Sequence, residues 1–479
     1  ALLTLENGLD LQPVLTLKFK YGERTFKWDR AYKKEVEYIN TNRIEWFYRD
    51  QEWEKESINT LLAAGLEQTR TGQFALKKNG TKDPEGHRLI EWVNNNGKLL
   101  EQLIMSQAFG NLAYYTGEIG LKITSTKKTD WFDMECMVVF NDFSIPFTQF
   151  KNHILNNIRE YILPDERIAI LPDSWFTRFS ELFRYGKTNK NSIRLKNYHY
   201  QLKELAETGS FPNETAEIKQ ASISIPTSLN ATLRPYQVIG FKWLAHLQMN
   251  NFGGCLSDDM GLGKTLQTIT QLLNIYASSP AKTTHDKGQS IQLSLFDDPP
   301  QNYSMHDSHI APTLIVMPVS LIHNWLNELN KFAPSLKVYT HTGNNRLTGK
   351  AFENMMNNNQ VILTSYGIVR QDITFLDKHF FHYIILDESQ YIKNPNSQTF
   401  KCIKQLNSKH KLILTGTPIE NSLTDLWSQM DFINDGILGT LSEFKKTFDQ
   451  DNIVQHEKHR NSLLEIIAPF ILRRTKEEV

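Results

Sequence analysis

Asp258-Asp259-Met260-Gly261-Leu262-Gly263-Lys264-Thr265 is the stretch on which the reading of this chain turns. A small-residue run, Gly253-Gly254-Cys255-Leu256-Ser257, leads into it, and residues 266–273 leave it with apolar side chains at helical spacing. Strand, glycine loop, Lys-Thr and helix in that order make a phosphate-binding loop. Gly261 and Gly263 let the backbone approach phosphates, while the loop amides and the helix N-terminus supply positive partial charge. Lys264 is placed to reach β- and γ-phosphates, and the Thr265 hydroxyl to ligate Mg²⁺. Asp258 stands where the strict pattern has its first glycine. Taken alone, the stretch also suits a glycine turn before a core helix, so partners further along the chain decide.

Those partners alternate. Thr313-Leu314-Ile315-Val316-Met317, Lys337-Val338-Tyr339, residues 361–366, Tyr383-Ile384-Ile385-Leu386 and Leu412-Ile413-Leu414 are short apolar runs separated by helical stretches. Continuous apolar strands between helices predict an α/β fold, a parallel sheet covered by helices on both faces. Ligands of such sheets bind at the strands' carboxyl ends. The glycine loop, Asp387-Glu388 and Thr415-Gly416-Thr417-Pro418 all fall at such ends, which points to one nucleotide site. Asp387, directly after an apolar strand, is the second candidate ligand for Mg²⁺, opposite Thr265. Glu388 is the candidate to orient and deprotonate an attacking water. Thr415 lies where a γ-phosphate could be coupled to movement of a partner domain, or simply in a strand-to-helix turn. Gln237, just before the first core helix, has an amide that can read adenine's edge, or serve as a polar helix start. With ATP as the ligand, the candidate binding set is Arg234, Gln237, Asp259, Met260, Gly261, Leu262, Gly263, Lys264, Thr265, Gln390 and Thr415.

Length and composition bound the rest. At 479 residues the chain is long enough for two to four domains, and 40% hydrophobic content supplies their cores. Lys+Arg and Asp+Glu both number 53, so nucleic-acid binding must use a local patch. Cys136, Cys255 and Cys402 are far apart, with no CxxC pair, which argues against a zinc site or disulfide framework and fits a reducing cytoplasm. No apolar run approaches the roughly 18 residues of a membrane span. The N-terminus lacks Met and any signal-peptide shape, and reads as the middle of a longer polypeptide.

Residues 1–225 read as an α+β domain: a hairpin over 1–30, mostly helix from about 31 to 110, strands at 120–126 and 131–141, then helices near 147–158 and 174–185 capped by Asp173 or Ser174. They carry no evident catalytic constellation. Residues 208–228 are polar and contain Gly209, Pro212 and Pro226, as a linker would. An insert over about 278–311 is polar except for Gln292-Leu293-Ser294-Leu295-Phe296. That pentapeptide resembles the one by which bacterial proteins dock on the DNA sliding clamp; its Leu-Phe pair would equally suit a small cover folded onto its own lobe.

From about residue 230 onward the chain resembles the SWI/SNF class of superfamily-two DNA translocases, the ATPases of chromatin remodellers and their bacterial relatives. The matching blocks are Leu233-Arg234-Pro235-Tyr236-Gln237, residues 258–265, Pro318-Val319-Ser320-Leu321 with Asn324-Trp325, and Thr364-Ser365-Tyr366. They continue with Asp387-Glu388-Ser389-Gln390 and Ile392-Lys393-Asn394, Leu414 to Pro418 with Glu420-Asn421, Leu426-Trp427-Ser428, and Pro469-Phe470-Ile471-Leu472-Arg473-Arg474-Thr475-Lys476. The family shares the Asp at 258. Ser389 replaces its usual Ala, and Asp435 stands where it often has Pro.

The resemblance implies a RecA-like ATPase lobe over 226–436 that moves on double-stranded DNA, in the cytoplasm at the nucleoid. Pro318, Ser320, Thr364, Ser365, Lys393 and Asn394 would contact the duplex backbone. It further implies that 1–225 is a helicase-associated region, that 437–479 is a helical connector, and that a second RecA-like lobe beyond it supplies arginine fingers worth about 10³–10⁵ in rate. A non-catalytic nucleotide- and nucleic-acid-binding scaffold is the alternative; intact Lys264, Asp387 and Glu388 argue against it.

Overall fold

Thr313–Met317 is buried at every position, and so is Val361–Ser365, as strands covered on both faces must be. The computed structural model describes residues 1–8, 13–28, 33–40, 43–70, 72–77, 85–109, 113–212, 223–277, 310–416, 423–448 and 453–479. The pentapeptide 292–296 and Thr417 lie outside the described residues. The chain divides into two compact units, Ala1–Gly209 and Ser210–Val479. Among the described residues no helix is long and apolar enough to cross a membrane.

The first unit opens with β1 (Leu2–Asn7), β2 (Pro13–Tyr21), β3 (Arg24–Lys27), β4 (Lys34–Asn40), β5 (Arg43–Tyr48), α1 (Gln51–Ala63), β6 (Leu66–Arg70), β7 (Gln73–Leu76), α2 (Glu85–Asn95), α3 (Gly97–Leu100) and β8 (Ile104–Ala108). The strands β6-β7-β2-β1-β8 form one sheet with β3 paired to β2, and β4-β5 is a separate hairpin. Leu3, Leu5, Leu15, Leu17 and Phe19 of the sheet meet Ile58 and Leu61 of α1 and Leu89, Ile90 and Val93 of α2 in one core. The expectation of mostly helix over 31–110 is therefore corrected. The helical spacing is real in α1 and α2, but five short strands interrupt it. Then follow β9 (Gly120–Lys127), β10 (Trp131–Val139), β11 (Ser144–Pro146), α4 (Lys151–Leu155), β12 (Glu160–Ile162), β13 (Ile168–Ile170), α5 (Asp173–Tyr185), β14 (Lys187–Thr188), β15 (Ser192–Lys196) and α6 (Tyr200–Thr208). Neither Asp173 nor Ser174 caps α5. Pro172 is the cap residue, and the Asp173 amide donates instead to the Glu91 carboxylate at 3.2 Å.

The second unit is doubly covered α/β. In order it runs α7 (Pro235–Met249), β16 (Gly254–Leu256), α8 (Lys264–Ala277), β17 (Thr313–Met317), α9 (Val319–Phe332), β18 (Val338–Thr340), α10 (Gly349–Asn358), β19 (Val361–Ser365), α11 (Tyr366–Leu376) and β20 (Phe380–Asp387). It closes with α12 (Gln398–Gln405), β21 (Asn407–Leu414), α13 (Leu423–Ile433), α14 (Leu441–Phe448), α15 (Ile453–Ile467) and β22 (Ile471–Leu472). The sheet order is β18-β19-β17-β20-β21-β16-β22, and every neighbouring pair is parallel. One difference from expectation lies at its edge. Residues 437–479 are not only a helical connector, because Ile471 and Leu472 pair with Cys255 and Leu256 and so extend the sheet beside the glycine loop. Phe470, fully buried, stacks edge-on against Phe252 and holds the strand there.

Candidate active site

The short β16 ends at Leu256, and the chain then turns through the glycine loop into α8. Gly261 (φ +89°) and Gly263 (φ +75°) hold left-handed conformations that other residues rarely adopt. At Gly263 a Cβ would also stand 2.5 Å from the Gln237 Nε2. That closeness is functional packing: Gln237 Nε2 donates to Leu262 O at 3.2 Å, and its Oε1 accepts from Arg234 N at 2.9 Å. The buried Gln237 amide thus ties the start of α7 to the loop. Tyr236 adds a hydroxyl bond to Leu262 O at 3.2 Å.

Lys264 folds back over the loop, donating to Asp258 O at 2.5 Å and Asp259 O at 3.3 Å. Burial pushes its ammonium below the usual value, and the charges of Asp258, Asp387, Glu388 and Asp259 push the other way. Glycine loop and acidic strand end therefore converge on one cation. Asp387, at the end of β20, accepts from Trp325 Nε1 at 2.7 Å and from the Glu388 amide at 2.9 Å. Its carboxyl is raised above the ordinary carboxylate range by burial, with Trp325 opposing and Glu388 adding to the rise. Tyr366 fixes the Asp387 backbone by donating to its carbonyl at 2.9 Å and stacks on Tyr391. Glu388 itself sits at φ +53°, a strained setting for a residue with a side chain.

Asp258 is fully buried and does not face the phosphate space as a loop glycine would. Its carboxylate accepts from Arg474 Nε at 2.9 Å, from Arg474 Nη2, and from Gln267 Nε2 at 3.1 Å. Arg474 also bonds Gln267 Oε1 at 2.9 Å and the Tyr236 carbonyl, and its guanidinium lies over the Tyr236 ring. Asp259 receives the Lys476 amide and donates its own to Arg474 O. The segment after β22 therefore clamps the loop from outside. Sequence reasoning quoted Arg474 and Trp325 as parts of motifs but gave them no role. Their partners stand 216 and 62 residues away in sequence, which no local pattern reveals.

Of the other expected nucleotide contacts, Met260 is exposed and faces Gly416, Thr415 is buried with its amide bonded to Leu256 O, and Gln390 and Arg234 are exposed. The expected duplex contacts separate into two groups. Ser320 and Asn394 are exposed, with Pro318 and Lys393 half-buried. Thr364 is corrected: it is fully buried and its hydroxyl donates to His341 O at 2.9 Å, leaving no surface for a phosphate. The Ser365 side chain is likewise spent, capping α11 at the Ile368 amide.

The residues present fit Mg²⁺. Among the described residues no group of three or more His, Cys, Asp or Glu could hold a metal alone. Mg²⁺ needs none, since it is commonly held by one or two carboxylates together with substrate phosphates and water. Thr265 and Asp387 offer hard oxygen donors of that kind.

A model of the SNF2-related domain matches residues 236–479, just over half the chain. The chain belongs to the SNF2-related family. This SNF2-related chain is 36% identical over 275 residues to an uncharacterized ATP-dependent helicase of Mycoplasma genitalium, covering 57% of this chain and 24% of that one. It is 39% identical over 260 residues to a putative ATP-dependent helicase/translocase of Bacillus subtilis, with 53% and 25% covered. It thus spans about a quarter of the length of these curated relatives. Among solved structures it is 37% identical to the SWI2/SNF2 ATPase core of Sulfolobus solfataricus in complex with dsDNA, covering 53% of this chain and 47% of that one, with a TM-score of 0.42.

Proposed function

We propose that the second unit is the nucleotide-binding lobe of an ATP-dependent motor that moves along double-stranded DNA. The observation that carries this reading is the convergence of Lys264, Asp387 and Glu388 at the carboxyl ends of one parallel sheet, in a chain of the SNF2-related family. Lys264 leaves the loop carbonyls to meet β- and γ-phosphates, which are stronger acceptors for a half-buried ammonium. Bound Mg²⁺ would neutralise phosphate charge, held by Thr265 and Asp387. Trp325 and Tyr366 keep Asp387 in place, and Glu388 orients the attacking water and takes its proton. Gln237 reads adenine through its amide, whose Oε1 keeps a lone pair beyond the bond from Arg234 N and whose Nε2 gives up its long bond to the Tyr236 hydroxyl. Ser320, Lys393 and Asn394 are the expected contacts with exposed or half-buried polar side chains, and they meet duplex phosphates in this reading.

The test compares wild type, Lys264→Ala and Glu388→Gln in the full-length protein carrying this chain. Lys264→Ala weakens nucleotide binding; Glu388→Gln binds nucleotide normally and does not hydrolyse it, because an amide cannot accept the proton. Duplex DNA stimulates wild-type hydrolysis more than single-stranded DNA or RNA. Wild-type turnover by Glu388→Gln removes the proposed base, and equal stimulation by RNA removes the duplex track.

A further inference from the structure

The backbone of residues 474–476 runs beside the glycine loop. The Asp259 amide donates to Arg474 O at 3.0 Å, and the Lys476 amide donates to Asp259 Oδ2 at 3.2 Å. From that anchor the Lys476 side chain extends to Gly261, where an added Cβ would meet Lys476 Cε at 4.0 Å. Both residues are exposed, and among the described residues the Lys476 ammonium has no hydrogen-bond or ion-pair partner. We propose that Lys476 is a second phosphate-binding cation of this site, meeting the nucleotide's phosphates from the open side of the loop while Lys264 meets them from within. This inference rests on the ATP-site reading above.

Reach and charge both favour this assignment. Phosphates lie against a glycine loop because its amides point at them and no side chain stands between. Gly261 leaves such an opening, and the end of a lysine side chain already lies at its rim. An ammonium is a compact charge on a flexible four-carbon stem, so it can swing from solvent onto a phosphate oxygen. Here the root of the stem is pinned to Asp259, which leaves less freedom to lose on binding. The charges of Asp258, Asp387, Glu388 and Asp259 all act on Lys264. Arg474 pairs with Asp258, and Lys264 is a single cation for the other three. A nucleotide brings further negative charge to the same place, and its phosphate oxygens are strong acceptors for an unpaired ammonium. Arg473 is exposed as well, yet none of its atoms comes within 4 Å of that Cβ position.

The experiment measures binding of a fluorescent, non-hydrolysable ATP analogue to the full-length protein carrying this chain. It uses wild type, Lys476→Ala, Lys476→Arg, Lys476→Glu and, as a control that removes the same charge, Arg473→Ala. Thermal unfolding of each variant is followed alongside. Lys476→Ala should lose about tenfold in affinity, the lower end of what a hydrogen bond to a charged group is worth, at an unchanged melting temperature. Lys476→Arg, which keeps the cation, should retain most of the affinity, and Lys476→Glu should lose more than Lys476→Ala. Arg473→Ala should bind as wild type does. The inference is overturned if Lys476→Ala keeps wild-type affinity, or if Arg and Ala behave alike at 476. It is also overturned if Arg473→Ala loses as much, because the effect is then one of long-range charge. A loss of affinity that comes only with a lower melting temperature overturns it too, marking the side chain as a brace. Absence of nucleotide binding by wild type would instead overturn the ATP-site reading, and this inference with it.

Discussion

Replacing Arg474 by Ala should cost the second unit about 3–5 kcal/mol, the penalty for stranding one member of a buried ion pair. The structure sets that scale. Asp258 is fully buried, and Arg474 delivers two of the three side-chain hydrogen bonds its carboxylate receives. Without the guanidinium, Gln267 Nε2 is the one side-chain hydrogen-bond donor left to the carboxylate, and the Lys264 ammonium acts on it only through space. The Gln267 oxygen and the Tyr236 carbonyl lose a donor, and the Tyr236 ring loses its stacked cation. Arg474→Lys should fall between, since an ammonium keeps the charge but not the fork. Asp258→Leu with Arg474→Met should recover most of the stability, because an apolar pair of similar volume needs no desolvated charge. The assay is denaturant unfolding of the chain, following the transition of the second unit, with each variant in the same buffer. A loss below about 1 kcal/mol for Arg474→Ala, the range of exposed pairs, would refute the clamp. So would a double variant no more stable than Arg474→Ala alone.

Ser389 is fully buried and its hydroxyl has no partner, so Ser389→Ala should raise stability by about 1 kcal/mol or more and leave nucleotide affinity unchanged; a lower melting temperature would contradict it. Thr364→Val should lower stability by about 1 kcal/mol by leaving His341 O without its donor, and should not alter stimulation by duplex DNA. A loss of DNA stimulation at unchanged stability would restore Thr364 as a duplex contact. Burial holds His382 at about 4, with Lys409 adding to the fall, and burial with His382 and Lys409 holds His410 at about 3. Both lie below the unfolded value of about 6.5, so unfolding takes up protons, and their contribution is intact above that pH and lost as pH falls toward 4. His410→Phe, which keeps the ring stacked on Tyr383, should shrink the drop in melting temperature between neutral and mildly acidic pH; an unchanged drop would refute it.

The parallel sheet was legible because burial on both faces forces apolar runs, and the runs at 313–317, 361–365 and 383–386 have little else to become. The glycine loop and the Asp387-Glu388 pair were legible for a related reason: phosphate chemistry demands residue types, and strand ends demand positions. What stayed hidden depends on partners remote in sequence. Asp258 read as a departure from the loop pattern, and only Arg474 explains it. The strand Ile471–Leu472 is too short to show any period, and its place is decided by Cys255 and Leu256. Thr364 looked like a polar strand end, yet its side chain points inward to a neighbouring strand's exit. In the first unit, β6 is brief and largely polar and β7, which joins it to β2, has only four residues, and the strong helical spacing around them concealed them.

The clamp also sets an order of assembly. Arg474 follows Asp258 by 216 residues, so a ribosome working at about 5–20 residues per second delivers the second roughly 10–40 s after the first. Throughout that interval the outer flank of β16 is an open strand edge, and the Asp258 carboxylate has no guanidinium to meet it. Closing so long a loop is among the slow steps of folding, and the brace on the glycine loop has to wait for it. A nascent chain that stalls between Thr415 and Arg474 carries every residue expected from sequence to touch ATP and still has an unbraced loop. The brace on the loop is thereby deferred until translation has passed Arg474.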